Sequence, residues 1–384
     1  MDFSLLEQHA KANIERQKIP GCVCFAARGR ERLYHEAFGY LDYDARTPLV
    51  KNAMFRLASM SKPVTGAVVM ALCERGLLSL DDPVSKFLPG FAHLWIGKAE
   101  NGKVRLDRPA STPITLRHLL SHCSGLGSGP VGDAQCDALF APRPGETLAD
   151  VVPRYDRALL DFEPQSTNAY SAKMAFELLS YLCELAAGMP FDKVVKHYLL
   201  DPLETDELTF LPTPEQTARM VVLYGETDQG LRRFAGIGDQ NFRGYPRGFF
   251  SGAAALLGSA EGYFRFAAML ACGGKALSGQ RVLSEESVRC MRTPAFGGKT
   301  VYAGDGQYWG LSMRVVKQPH GSTACMPPDS FGWSGAYGTH FFIDPYTETV
   351  AIYLMNCATA NGAGAVTARE FEADIMNALG GARE

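Results

Sequence analysis

The amino-acid sequence predicts an α+β protein with one antiparallel sheet built from both chain ends, flanked by helices, and an inserted, mainly helical lobe. Strand-like segments occur near the amino terminus and again in the last quarter of the chain, and helical patterns dominate the middle. With 384 residues, of which 46% are hydrophobic, the chain can bury a large core.

The amino-terminal part of the chain predicts a helix followed by a strand pair. Residues 2–17 carry an amphipathic pattern that ends at Pro20, as is typical of a helix end. The segments CVCFAAR (22–28) and ERLYHEAFGYLD (31–42) predict two strands joined by a turn that contains Gly29.

The rest of the chain predicts helices first and strands afterwards. Apolar residues at helical intervals predict helices over 115–122, 147–160, 171–188, 252–275 and 284–293. Strands are predicted over 308–316, 330–345 and 349–356, before a terminal helix over 365–380. We expect a single domain over 1–384, with one lobe formed by 1–80 and 250–384 and the other by 81–249. A functional site would lie in the cleft between the lobes.

Charge and apolar patterning argue against nucleic-acid and membrane partners. Lys plus Arg is 38 and Asp plus Glu is 41, so the net charge is −3 and there is no basic surplus. The apolar run GAVVMALC (66–73) is far shorter than the roughly 20 residues of a membrane helix. The first residues lack the positive start and apolar core of a secretory signal. We therefore expect a soluble, cytoplasmic protein that acts on a small molecule, and its oligomeric state is not encoded in these patterns.

Cysteine and histidine spacing does not favour a metal site. The ten cysteines are scattered and predict reduced, mostly buried thiols. His118 and His122 lie four apart beside Cys123, a spacing that zinc could use, but the glutamate of an H-E-x-x-H site is absent. We expect structural histidines, and neither a metal nor a cofactor.

The segment FRLASMSKPVTG (55–66) contains a candidate nucleophile. Proline costs little in the first turn of a helix and about 3 kcal/mol or more deeper inside, so Pro63 predicts a helix start at about 59–62. Ser59 then lies where free N–H groups and the helix dipole can stabilise an oxyanion. Ser59 and Lys62 are three apart and share one face, whereas Ser61 points elsewhere. This spacing favours Ser59 as nucleophile and Lys62 as the group that takes its proton.

Two alternatives qualify this interpretation. Taken by itself, the S-x-x-K motif also describes an N-cap serine followed by a surface lysine. In addition, a lysine is a poor base near neutral pH unless burial or a second cation lowers its pKa, or a partner such as tyrosine assists it. The rival GWSGA around Ser334 does not satisfy G-x-S-x-G. His340 and Asp344 follow it in the order opposite to that of an α/β-hydrolase, which excludes that fold.

A series of blocks in order resembles the serine β-lactamase-like superfamily. The blocks are FRLASMSKPVTG, LCERGLLSLDDPVSKFLP, ITLRHLLSHCSGL, NAYSA (168–172) and WSGAYGTHFFIDP (333–345). The superfamily includes class C β-lactamases, D-alanyl-D-alanine carboxypeptidases and family VIII carboxylesterases, and it implies a β-lactamase/transpeptidase-like fold. Ser59 and Lys62 match its S-x-x-K pair, and Tyr170 matches the tyrosine of its Y-x-N block. Trp333, Ser334 and Gly335 replace K-T-G or H-x-G.

The resemblance implies a mechanism that forms an acyl-enzyme. Lys62 and Tyr170 would together deprotonate Ser59, and Tyr170 would return a proton to the leaving group. The backbone N–H groups of Ser59 and Ala336 would form the oxyanion hole, because Ala336 follows the glycine of the third motif.

Two departures from the family pattern predict the substrate class. Ala172 replaces an asparagine whose amide contacts an amide substrate, and Trp333 replaces a lysine that holds a carboxylate. Both forms resemble family VIII carboxylesterases, so the sequence predicts a carboxylesterase for small, largely uncharged esters, with acyl transfer to alcohols or amines as a variant. An amidase, D-amino-acid peptidase or weak β-lactamase is the alternative, and a non-catalytic ligand-binding protein is the alternative of another class. Tyr337 and Phe249 are candidate cleft residues, and 244–252 is a candidate substrate-facing loop.

Overall fold

A computed structural model of the chain describes residues 1–101, 103–234, 246–295 and 306–380. Its strands are β1 (Gly21–Arg28), β2 (Glu31–Asp42), β3 (Thr47–Pro48), β4 (Phe55–Arg56), β5 (Trp95–Glu100), β6 (Lys103–Pro109), β7 (Leu159–Leu160), β8 (Leu208–Thr209), β9 (Tyr224–Thr227), β10 (Gly230–Arg233), β11 (Leu257–Gly258), β12 (Gln307–Trp309), β13 (Arg314–Val316), β14 (Phe331–Ser334), β15 (His340–Asp344) and β16 (Thr349–Leu354). Its helices are α1 (Ser4–Glu15), α2 (Ser61–Glu74), α3 (Leu116–Leu120), α4 (Pro130–Leu139), α5 (Leu148–Val151), α6 (Met174–Ala187), α7 (Phe191–Val195), α8 (Pro214–Ala218), α9 (Ala260–Ala271), α10 (Glu285–Met291) and α11 (Val366–Ala378).

The largest sheet joins the two ends of the chain, as the sequence predicts. Its order is β12-β13-β14-β15-β16-β1-β2-β3, and every neighbouring pair is antiparallel. The join is the pairing of β1 with β16, which runs from Val23 opposite Leu354 to Arg28 opposite Thr349. This arrangement confirms the predicted fold class.

The centre of this sheet is covered on both faces. Side chains of a strand alternate between faces, so Val23 and Phe25 enter the main core, which also includes residues of α2 and α9. Cys22 and Cys24 enter a smaller core that includes residues of α1 and α11. The two terminal helices therefore cover one face, while α2 and α9 lie on the other. Helix α2 is buried from Ser61 to Leu72, as expected for a helix that is surrounded by other elements.

Two predicted helices are shorter than the sequence pattern indicates. The predicted helix over 147–160 is wrong: α5 ends at Val151, a 3₁₀ segment follows, and β7 pairs in parallel with β5. Pro153, which cannot donate to the helical hydrogen-bond ladder, lies in that segment. The predicted helix over 252–275 begins only at Ala260, because the hydroxyl of Ser259 caps it by accepting from the N–H of Gly262 (3.2 Å).

None of the helices in the described part of the chain is both long and apolar enough to cross a bilayer.

Candidate active site

Ser59 lies in a 3₁₀ turn, Ala58–Met60, that runs directly into α2. Pro63 is the third residue of α2, where its missing N–H leaves no intrahelical bond unmade. Ser61, the rival serine, is buried, donates to the carbonyl of Ala58 (2.7 Å) and accepts from the N–H of Leu256 (3.1 Å). The hydroxyl of Ser61 is therefore committed to the backbone, while Ser59 remains half-buried.

The backbone just before Ser59 has an uncommon conformation. Ala58 has φ +47°, in the left-handed region that costs a residue with a Cβ atom of order 1 kcal/mol or more. Its neighbour Leu57 is held on both sides, since its N–H donates to Leu256 O (3.1 Å) and its carbonyl accepts from Thr339 Oγ1 (2.9 Å). These contacts from distant segments fix the turn that carries Ser59.

Lys62 is fully buried, and its Nζ has three polar neighbours. Nζ donates to Ala172 O (2.7 Å) and Ala253 O (2.9 Å), and it lies 3.2 Å from Ser59 Oγ. A neutral amine has two N–H donors and one lone pair, whereas an ammonium has three donors. Two N–H groups of Nζ point at the carbonyls of Ala172 and Ala253. The remaining site on Nζ, a lone pair in the amine or an N–H in the ammonium, therefore faces Ser59. The geometry therefore lets a single proton pass between Ser59 and Lys62.

Tyr170 lies close to Lys62, within a cluster of aromatic rings. Its ring centroid is 5.0 Å from Lys62 Nζ, and its hydroxyl oxygen accepts from Trp333 Nε1 (3.3 Å). Trp309 stacks on Tyr170 at 5.8 Å, and His122 lies 4.7 Å from Tyr170 and 4.2 Å from Trp309, centroid to centroid. We call Tyr170, Trp309, Trp333 and His122 the aromatic cluster. The structure thus brings Tyr170 and Trp333 to the segment that carries Ser59 and Lys62, so that three separate parts of the chain meet here.

Gly335, the last residue of the WSG motif (333–335), brings the turn that follows it into contact with the turn that carries Ser59. A Cβ atom built on Gly335 would lie 2.3 Å from Leu57 O and 2.2 Å from Thr339 Oγ1, so only glycine permits this approach. The N–H of Gly335 donates to Thr339 O (2.6 Å), and the next residue, Ala336, is exposed. The turn that carries the N–H of Ala336 is therefore packed against the turn that carries Ser59.

Replacing Gly335 with alanine is expected to lower kcat by roughly 10²-fold for a hydrolysed ester, about the cost of losing one oxyanion donor. The added methyl would push the turn of Ala336 away from Leu57. Steady-state kinetics would measure the change. Gly225→Ala is the matched control, because its added Cβ would meet its nearest atom, Thr359 Cγ2, at an ordinary 3.6 Å. Unchanged kcat in a folded Gly335→Ala variant would contradict the prediction.

The remaining predicted site residues differ in how exposed they are and in what they contact. Ala172 is exposed and contributes its carbonyl to Lys62. Ser334 is buried, with Oγ 2.8 Å from Nδ1 of His340. Tyr337 is half-buried, and burial raises the pKa of its hydroxyl. Phe249 is fully buried in the main core and has no open surface toward a substrate. Of the predicted loop 244–252, positions 244 and 245 lie outside the described residues.

Two members of the aromatic cluster were not predicted as site residues. Trp309 is buried and ends a short strand, so its sequence pattern does not differ from that of a core residue. His122 was considered only with His118 as a possible zinc pair. Instead, each accepts a backbone N–H at Nδ1: His118 from Thr115 (3.2 Å) and His122 from Ser171 (3.1 Å). Within the described residues, no group of three or more His, Cys, Asp or Glu side chains could hold a metal ion.

Comparisons with known proteins cover nearly the whole chain. A model of the Beta-lactamase family matches residues 6–373. Esterase EstB of Burkholderia gladioli is 27% identical over 378 residues, which cover 92% of this chain and 90% of EstB. The D-alanyl-D-alanine-carboxypeptidase/endopeptidase AmpH of Escherichia coli is 30% identical over 171 residues, 44% of this chain and 40% of AmpH.

A solved structure has the same fold over the full length. EstCE1, described as a hydrolase with promiscuous acyltransferase activity, superposes with a TM-score of 0.81 at 25% identity and covers 97% of each chain.

Proposed function

Because the chain belongs to the beta-lactamase family of serine hydrolases, we propose that it hydrolyses small, largely uncharged esters through an acyl-enzyme on Ser59. The observation that carries the proposal is the buried Nζ of Lys62, 3.2 Å from Ser59 Oγ and held by two backbone carbonyls. This arrangement supports Ser59 as a nucleophile with its proton acceptor already in place.

In the first half-reaction, the Ser59 hydroxyl proton passes to Lys62 as Oγ forms a bond to the ester carbonyl carbon. The oxyanion that develops accepts from the backbone N–H groups of Ser59 and Ala336, which the contact of Gly335 with Leu57 supports. The tetrahedral intermediate then expels the alkoxide, which takes a proton from Tyr170, and Tyr170 regains one from Lys62.

In the second half-reaction, water attacks the acyl carbon, and the same groups act in reverse. As the water oxygen adds to the carbonyl, Tyr170 passes its own proton to Lys62 and takes one from the water, and Ser59 Oγ then leaves and is reprotonated by Lys62. Trp333 supports both halves, because its Nε1–H donates to the Tyr170 oxygen and stabilises the negative charge that develops there.

The groups around the proposed nucleophile favour an uncharged substrate. Trp333 offers an aromatic ring where a lysine would hold a carboxylate, and Ala172 offers a methyl where an amide would bind an amide substrate. The similarity to EstB supports an esterase, and the similarity to EstCE1, described as a hydrolase with promiscuous acyltransferase activity, supports acyl transfer to an alcohol or amine as a variant. The partial similarity to AmpH favours hydrolysis of D-alanyl peptides as the second candidate.

A substrate comparison tests the proposed specificity. We expect kcat/KM for p-nitrophenyl acetate or butyrate to exceed the values for nitrocefin and for a D-alanyl-D-alanine peptide. An amide or carboxylate would find neither its amide partner nor its cation, a loss of about 1–3 kcal/mol for each unpaired group. Measured kcat/KM values for the three substrate classes give the comparison. Faster turnover of nitrocefin or of the peptide would contradict the assignment.

Ala172→Asn provides a matched variant for this comparison, since it restores the amide at an exposed position. We expect the ratio of nitrocefin to ester kcat/KM to rise relative to wild type. The same ratio in both proteins would show that Ala172 does not determine specificity.

A further inference from the structure

His122 has a costly position in the fold. It follows α3 directly, has φ +57°, and its side chain is fully buried. The left-handed region favours glycine or asparagine, and a buried imidazole must satisfy two nitrogens. Within the described residues, Nε2 of His122 has no hydrogen-bond partner. Neither the left-handed φ nor the unpaired Nε2 favours a histidine at this position, so another of its side-chain contacts must account for the residue.

His122 accepts a hydrogen bond from each of the two residues that flank Tyr170 in the sequence. The carbonyl of His122 accepts from the N–H of Ala169 (3.0 Å), and its Nδ1 accepts from the N–H of Ser171 (3.1 Å). The residues on either side of Tyr170 are therefore fixed to the same histidine. The imidazole also contacts the Tyr170 ring, at 4.7 Å between centroids. The next residue after Ser171, Ala172, accepts from Lys62 through its carbonyl.

The Nδ1 contact requires a neutral imidazole with its proton on Nε2. An Nδ1 that accepts a backbone N–H must keep its lone pair, and protonation would remove it. Burial lowers the pKa of His122 well below its usual value, and the charge of Lys62 lowers it further. Within the described residues, the groups that face the ring are Lys62, Tyr170, Phe176 and Trp309, and no carboxylate is among them.

We propose that His122 is a positioning residue for Tyr170. Its neutral imidazole fixes the Ala169–Ser171 segment, so that the Tyr170 hydroxyl lies where it can transfer a proton to the leaving group. The inference deepens the proposed function, because it rests on the role of Tyr170 in proton transfer. His122 itself touches neither the substrate nor the reacting atoms.

Asparagine and leucine at position 122 make a matched pair. The two side chains have nearly the same shape, but only asparagine carries an acceptor at the place of Nδ1, and asparagine also tolerates the left-handed backbone of this position better than leucine. The difference in melting temperature between the two variants measures that backbone effect, and kcat measures the effect on Tyr170. We expect His122→Leu to lower kcat for p-nitrophenyl butyrate by roughly 10-fold to 100-fold with KM within about threefold, as for a misplaced catalytic group. His122→Asn should recover most of the loss. Circular dichroism melting curves establish that both variants are folded.

The outcome of this comparison separates the inference from the proposed function. A folded His122→Leu variant with wild-type kcat would overturn the inference. Tyr170→Phe with wild-type activity would also overturn it but leave a serine hydrolase standing, whereas a wild-type protein without ester hydrolysis would overturn both.

A spectroscopic measurement on the wild-type protein tests the tautomer directly and uses a variant only to assign the signals. With ¹⁵N-labelled histidine, the signals of His122 are those missing from His122→Asn. We expect Nδ1 to be unprotonated and Nε2 to carry the proton throughout the pH range of activity. An Nδ1–H tautomer, or titration of the ring within that range, would overturn the inference.

Discussion

Ser59→Ala is expected to lower kcat/KM for p-nitrophenyl esters by roughly 10⁴-fold or more, the largest effect in the chain. Without Oγ no acyl-enzyme forms, and only the oxyanion donors and the binding surface remain to assist water. The buried Lys62 keeps its bonds to Ala172 and Ala253, so the fold should survive. Stopped-flow or steady-state hydrolysis of p-nitrophenyl butyrate measures the effect.

Ser61→Ala is the control for this variant. Its hydroxyl bonds only to the backbone of Ala58 and Leu256 in the described structure, so the loss should appear mainly as stability, about 1–3 kcal/mol. A Ser59→Ala protein with more than a tenth of wild-type activity would contradict the assignment of the nucleophile.

Lys62→Met is expected to lower kcat by roughly 10²-fold to 10⁴-fold, the range attributed to one general base. Methionine fills the space of the lysine stem but cannot take the Ser59 proton. The carbonyls of Ala172 and Ala253 lose their donor, so we also expect a loss of stability, about 1–3 kcal/mol for each unpaired acceptor. A pre-steady-state measurement of p-nitrophenol release separates the acylation step from deacylation.

Lys173→Met is the matched control, because it removes a nearby lysine that forms a partly exposed ion pair with Asp137 (2.6 Å). Such pairs contribute about 0–1 kcal/mol, and we expect activity within about twofold of wild type. Equal losses in the two variants would indicate a general charge effect and would contradict a specific role for Lys62.

The fold was predictable from the sequence where one pattern dominates. The strand pair 22–28 and 31–42 agrees with β1 and β2 to within a residue, because a short turn separates two apolar segments. The hairpin of β5 and β6 was missed. Although Val104 and Leu106 alternate with charged residues in β6, two apolar positions are too few to indicate a strand, and β6 is exposed along nearly its whole length. The predicted helix over 252–275 was too long because the alanine and leucine residues of 253–257 favour a helix, although 257–258 form β11 and Ser259 caps the helix that follows.

The candidate site was predictable only in part, because some of its groups are side chains, which the sequence identifies, and others are backbone carbonyls, which it does not. The spacing of Ser59, Lys62 and Pro63 indicates a site, and the resemblance to the family adds Tyr170 and Trp333. The groups that hold Lys62 are carbonyls 110 and 191 residues away, which any residue type supplies. No residue-type signal could identify them. The roles assigned to Ser59, Lys62, Tyr170 and Ala336 remain predictions.

The most direct test is to locate the covalent adduct that a fluorophosphonate probe forms with the wild-type protein. After labelling at neutral pH, digestion and mass spectrometry would identify the modified residue. We predict one adduct per chain, on Ser59 within the peptide that contains FRLASMSK, and none on Ser59→Ala. No adduct on the wild-type protein, or an adduct on Ser61 or Ser334, would contradict the proposal that this chain is a serine hydrolase acting through Ser59.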